Sequence, residues 1–287
     1  MSVLRTVVFI DGRNFKYNLG AFQFHGIGDP DPNRAYRLDE KHFRWREFFL
    51  GVVNKFDNAS GWVHRLVRVY WYNAAAMRPF EVSPRAVQTI REHYNSEFPE
   101  LTEESVIRLA KDWYLEERRS FEQTKETVLE HIQRKVDFLE FKFVGEYVVK
   151  PFEPYKFERR GNGNLFYQGT REGEKGVDVG IATDMIAKMG EYEAAILVSG
   201  DADFLPVVRY IKDNLRAVYQ FSLARGIPPQ ITYLTPWLIG CVDVFQYYNE
   251  LELLEKYLDR SAGIPLPVLA AIDERIILLK QMSGAQH

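Results

Sequence analysis

The chain has 287 residues, 46% of them hydrophobic and 14% aromatic, which is enough for one large or two small domains with a substantial core. A formal net charge of −3 gives no global basic field, so any nucleic-acid contact must come from a local patch. Cys241 is the single cysteine, which excludes an intrachain disulfide and a cysteine zinc cluster; beside Leu238, Ile239 and Val242 it reads as a core residue. The six histidines, His25, His42, His64, His93, His131 and His287, lack zinc-ligand spacing and read as surface or packing residues. The N-terminal apolar run is too short for a signal peptide and no stretch approaches a membrane span, so a soluble cytoplasmic protein is expected.

In chain order, Thr6 to Ile10 is an unbroken apolar run typical of a strand buried on both faces, and it ends on Asp11-Gly12. A polar loop from Gly28 to Asn33 follows. Phe43, Phe48, Phe49, Val52, Val53 and Phe56 then recur at helical spacing, predicting a helix over residues 41–56 packed on a sheet. His64 to Ala74 is a second strand, and the alternation predicts an α/β fold with a parallel sheet. Prolines 79, 84 and 99 break the next stretch, which leads into a charged helical segment, Glu103 to Arg119. This region, about 77–120, reads as a helical insertion or lid. Val128, Ile132, Val136 and Leu139 mark a core-facing helix between Phe121 and Phe138. Gly161-Asn162-Gly163 is a strong turn signal in a β-hairpin over about 145–170. A helix from Asp178 to Met189, a strand from Ala194 to Val198, a helix from Phe204 to Asn214 and a strand from Ala217 to Leu223 complete the core. The remainder, residues 224–287 with "NELELLEKYL", reads as a helical extension packed on the domain or on a second copy in a homodimer.

The run "AAILVSGDADFLPVV" places Asp201 and Asp203 where a buried strand ends, as "VVFIDGRN" places Asp11. In doubly wound sheets the carboxyl ends of strands line the ligand crevice, so these carboxylates converge. Asp178, in "EKGVDVGIATDM", adds a fourth at a helix start. Each also has a plainer reading, because Asp and Ser are good N-caps. Clustered carboxylates raise one another's pKa unless a cation neutralises them. Oxygen-only ligands suit Mg²⁺ or Mn²⁺, which points to phosphoryl chemistry. Arg159, Arg160 and Arg171, interleaved with Phe157, Phe166 and Tyr167, have a composition suited to gripping single-stranded nucleic acid; an amphipathic hairpin with its charges in water is the simpler and favoured reading. Lys175 is either a phosphate contact or a solvated loop residue.

Asp11 with Asn14 in "FIDGRN", then "KGVDVGIATDM", then "VSGDADF" together resemble the NYN domain family, specifically its LabA-like branch. The resemblance implies a PIN-like three-layer fold over residues 1–223, with a central mostly parallel sheet, shared with metal-dependent ribonucleases. It implies Asp11, Asp178, Asp201 and Asp203 as metal ligands, Asn14 as an orienting group, and Ser199 and Gly200 as shaping the turn. Asp184 matches the family's spacing, but six residues on a helix is about 600°, placing it about 120° from Asp178. A supporting role and a ligand role both stay open for it.

The expected function is a metal-dependent ribonuclease; the preference for RNA over DNA rests on the resemblance alone. The rival is an NYN-fold module that binds RNA or a protein without cleaving. A dehalogenase-type phosphatase would want Asp-x-Asp at the first strand's end, where Asp11-Gly12-Arg13 stands. A dinucleotide-binding protein would need Gly-x-Gly-x-x-Gly there, and it is absent.

Overall fold

A computed structural model describes residues 3–28, 35–161, 163–231 and 234–284. Most of the Gly28–Asn33 loop, Asn162 of the hairpin turn and His287 therefore lie outside the described residues. The chain divides into two compact units. One comprises Met1–Asn73, Val128–Lys142 and Asp178–His287; the other comprises Ala74–Thr127 and Phe143–Val177.

The first unit is built on a six-stranded sheet. Its strands are β1 (Val3–Asp11), β2 (Val63–Asn73), β3 (Leu139–Phe143), β6 (Ala194–Val198), β7 (Ala217–Leu223) and β8 (Val244–Tyr248), with β4 and β5 belonging to the hairpin described below. The spatial order is β8-β7-β6-β1-β2-β3, and β8 on β7, β7 on β6, β6 on β1 and β1 on β2 all pair in parallel. From β1 the chain builds outward first through β2 and β3, then in the opposite direction through β6, β7 and β8. The reversal opens a crevice at the carboxyl ends of β1 and β6.

Both faces of this sheet are covered, as the unbroken apolar strands require. On one face lies α2 (Trp45–Ser60), whose Phe48, Phe49, Val52, Val53 and Phe56 are buried. Trp45 meets Trp71 edge-on with ring centroids 5.0 Å apart, and Phe48 meets Tyr248 at 5.1 Å. On the other face Phe9 packs beside Tyr70 and Tyr192, each at 5.8 Å. The period of two explains the division: Phe9 is paired with Tyr70, and Ile10 with Trp71, so neighbours in sequence face opposite layers. A buried, edge-to-face aromatic core of this size dominates the unit's stability.

Two boundaries differ from the sequence expectation. The predicted helix over 41–56 begins at Trp45 and ends at Ser60, because Asp39 caps a separate 3₁₀ turn, Glu40–His42, and Phe43 is extended to bridge Leu258. The C-terminal region holds an unexpected strand, β8, and "NELELLEKYL" forms only a helical turn and a π segment rather than a regular helix. An edge strand half-buried along most of its length carries no clean alternation to read. The extension ends in a helix, Leu266–Gly284. Cys241, expected in the core, is only partly buried; it lies just past the short helix Pro236–Ile239, and its carbonyl accepts from Lys212 Nζ at 2.7 Å.

The second unit has its own core. β4 (Glu146–Arg159) and β5 (Leu165–Lys175) form an antiparallel hairpin with Gly163 in the left-handed region at φ 82°. With α3 (Pro84–Tyr94) and α4 (Glu103–Gln123) it buries Val87, Ile90, Val106, Trp113, Phe157 and Tyr167. A π segment, Thr124–Leu129, follows α4, and α5 (Glu130–Lys135) lies in the first unit.

Candidate active site

The crevice is organised by one side chain at the end of β1. Asp11 is 6% exposed and N-caps α1 (Gly12–Gly20), accepting the Asn14 N–H on Oδ1 at 3.0 Å. Its Oδ2 accepts the Ser199 hydroxyl at 3.0 Å, and Ser199 Oγ in turn accepts the Asp201 N–H at 3.2 Å. Ser199 thus bridges the ends of β1 and β6. Asn14 reinforces the same junction, its Oδ1 accepting the Gly200 N–H and Asn18 Nδ2, both at 3.2 Å. Asp201 caps the 3₁₀ turn Ala202–Phe204 by accepting the Asp203 N–H at 2.9 Å, which leaves Asp203 exposed on the crevice rim. The capping reading holds for both Asp11 and Asp201, and a cap fixes the carboxylate it uses.

Gly12 is required for this geometry. A Cβ at this position would lie 2.3 Å from the Tyr72 carbonyl and 2.5 Å from Asn73 Oδ1, so α1 could not start this close to the end of β2.

The electrostatics are those of an acidic cluster. Burial pushes the Asp11 carboxyl up to about 6, with the charges of Asp178 and Asp201 adding to the rise and the Asn14 and Ser199 hydrogen bonds opposing it. Asp178, on α6 (Val177–Ala187), is also raised, first by burial and then by Asp201 and Asp203, while Arg13 opposes. The four carboxylates therefore share one field. Among the described residues, however, no three His, Cys, Asp or Glu side chains stand close enough to form a ready-made metal shell. The donor set is all oxygen, and carboxylates raised by burial first and by like-charged neighbours second are what a hard cation relieves, so in chemistry these residues fit Mg²⁺ or Mn²⁺.

Asp184 is placed differently. It accepts the Tyr72 hydroxyl at 2.8 Å and has Lys188 Nζ at 4.0 Å, a packing role against β2. The basic residues proposed for substrate lie in the second unit and are engaged there. Arg159 pairs with Glu100 and donates to the Gly163 carbonyl at 2.9 Å, and Arg171 donates to Glu117 at 2.7 Å. Lys175 meets Glu172 at 3.1 Å, while the Arg160 guanidinium lies 4.0 Å from the Phe166 ring centre.

Three contributors were missed in the sequence. Arg13 was weighed only for the carboxylate it is not. Gln220 is fully buried in β7 and donates from Nε2 to the Ser199 carbonyl at 2.8 Å; its signal was a polar residue inside "AVYQFSL". Thr235 donates both its N–H, at 3.1 Å, and its hydroxyl, at 2.7 Å, to the Gly200 carbonyl. Nothing local in the sequence marks that contact, which spans 35 positions.

Comparison with known proteins gives one family match. The family model of the NYN domain matches residues 106–232, a range that takes in Asp178, Ser199, Asp201 and Asp203 and stops short of Asp11 and Asn14. No curated protein matches the chain. Among solved structures, a protein of unknown function from Vibrio parahaemolyticus RIMD 2210633 is similar at 17% identity, over 86% of this chain and 94% of that one, with a TM-score of 0.40. The parallel sheet flanked by helices and the matched segment lead to one conclusion: residues 106–232 are similar to the NYN domain, and the α/β fold is consistent with the PIN-like one.

Proposed function

We propose that this protein is a metal-dependent ribonuclease of the LabA-like branch, hydrolysing RNA phosphodiester bonds at the crevice between β1 and β6. The observation that carries the reading is the Ser199 bridge, which holds Asp11 and Asp201 together at the point where strand order reverses, within the field of Asp178 and Asp203. NYN domains generally have a nuclease-like fold and bind RNA, which supports the substrate class.

Asp11, Asp178, Asp201 and Asp203 would hold Mg²⁺ or Mn²⁺, an ion that supplies charge neutralisation and Lewis-acid polarisation of the phosphodiester. The protein's own residues perform the positioning. The Asn14 N–H and Ser199 hydroxyl fix the two oxygens of Asp11, so the carboxylate cannot rotate away from the crevice. Gln220 and Thr235 hold the carbonyls of Ser199 and Gly200, setting the turn that presents Asp201. Arg13 supplies positive charge beside Asp178, where an anionic substrate must approach like charges. Such preorganisation is what a hydrolytic site needs, since groups fixed beforehand need not reorganise during reaction.

The test is cleavage of labelled single-stranded and structured RNA and DNA with Mn²⁺, Mg²⁺ or EDTA. Activity is expected only with metal, and Asp11→Asn or Asp201→Asn should reduce it by at least about 100-fold. RNA binding without any cleavage by the metal-loaded wild type would replace the enzyme with a binding module.

A further inference from the structure

Trp237 is the most exposed of the five tryptophans. Its side chain is 76% exposed on the short helix Pro236–Ile239, while the adjacent Leu238 is fully buried. A large ring held in water beside a buried anchor points outward by construction. Its position is tied to the carboxylate turn. Thr235 grips the Gly200 carbonyl through two hydrogen bonds, and the short helix packs against the 3₁₀ turn Ala202–Phe204 that carries Asp203. Thr235 and Trp237 are two residues apart, so their Cα atoms lie within about 7 Å.

Pro236, Gly240 and Asp203 are also exposed, so the short helix and the turn beside it present polar as well as apolar surface. An exposed aromatic plane on a helix packed against the turn that carries Asp203 suits an unpaired nucleobase, which can stack on indole whatever its identity. A duplex offers no such face, because its bases are already stacked.

We propose that Trp237 is a base-stacking platform that selects single-stranded nucleic acid and seats one unpaired base about one or two nucleotides from the phosphate at the carboxylate crevice. Only the position relative to the reacting phosphate rests on the nuclease reading; the stacking contact stands without it. The shared chemistry is an unpaired base on a phosphodiester strand, of either RNA or DNA.

The experiment measures binding of labelled single-stranded RNA, single-stranded DNA, an abasic strand and a duplex to the full chain in EDTA and in Mg²⁺. The variants are Trp237→Ala, Trp237→Phe and, as a control, Trp62→Ala. Trp62 is 52% exposed and precedes β2 at the opposite end of the sheet. Trp237→Ala should weaken single-strand binding about 5- to 150-fold, Trp237→Phe should retain most of it, and Trp62→Ala should leave it unchanged. The abasic strand should be insensitive to Trp237→Ala, and the RNA and DNA arms show which backbone the site prefers. Unchanged single-strand binding by Trp237→Ala overturns the proposal, as does equal loss for duplex and abasic strands, or no single-strand binding by the wild type. Trp237-dependent binding with no metal-dependent cleavage would sink the nuclease reading and leave the stacking platform intact.

Discussion

Asp11 concentrates the conflict between folding and function. Its folded pKa, raised to about 6, lies above the ordinary aspartate value of 3.8, so its contribution to stability is full below about pH 4 and is lost as pH rises through 6. Ionised and buried, it destabilises the fold by about 3 kcal/mol. Asp11→Asn should therefore raise the melting temperature at pH 8 without divalent ions, and the gain should vanish near pH 4. Added Mg²⁺ or Mn²⁺ should raise the wild-type melting temperature and leave the variant's unchanged, since a ligand stabilises only the state that binds it. A thermal unfolding series across pH and metal concentration measures both. Ser199→Ala removes the hydrogen bond to Asp11 Oδ2 and leaves every carboxylate of the proposed site in place. It should lower metal affinity or cleavage by about 10- to 100-fold, read from metal titration of the cleavage rate.

At the scale of elements, the site depends on how closely α1 can begin to β2. Gly12→Ala must move either the helix start or the Tyr72 carbonyl, and should destabilise by about 1–3 kcal/mol, measured by denaturant unfolding. Because Asp11 caps the same helix, the variant should also lose metal-induced stabilisation out of proportion to its stability change. Much at this scale was legible beforehand. The apolar run of β1 and the short runs of β6 and β7 needed no tertiary information, since strands buried on both faces leave few alternatives. The first turn before α2 and the edge strand β8 were not legible. The former depends on the Asp39 cap overriding helical spacing, and the latter on a neighbour, β7, that supplies its pairing.

Across the molecule, the C-terminal segment is tied to the sheet-bearing unit by a buried ion pair. Glu250, 1% exposed, accepts Arg275 Nε and Nη2 on its two oxygens, both at 2.8 Å, and the Gly226 N–H at 2.8 Å. Burial alone would raise Glu250, but Arg275 and the Gly226 N–H outweigh it and hold the carboxyl below its ordinary 4.5. The pair thus stabilises fully above that value, and its contribution is lost as pH falls through the depressed pKa. Arg275→Ala should cost about 3 kcal/mol at neutral pH, because it strands a buried carboxylate, with the difference narrowing in acid. Thermal melts at pH 7 and pH 3 would check it.

By itself the sequence determined the α/β class, the order of the core strands along the chain and the identity of the acidic residues at their ends. These follow from local patterns: hydrophobic periodicity, turn chemistry and the short motifs around Asp11, Asp178 and Asp201. Only the tertiary structure decided which strand ends meet, that Ser199 bridges Asp11 and Asp201, that Asp184 turns to Tyr72, and that Thr235 holds the Gly200 carbonyl. Asp11 and Ser199 are 188 positions apart, and no local pattern encodes a hydrogen bond across that distance. The parallel sheet creates it, because strands running in one direction bring their carboxyl ends to a common edge.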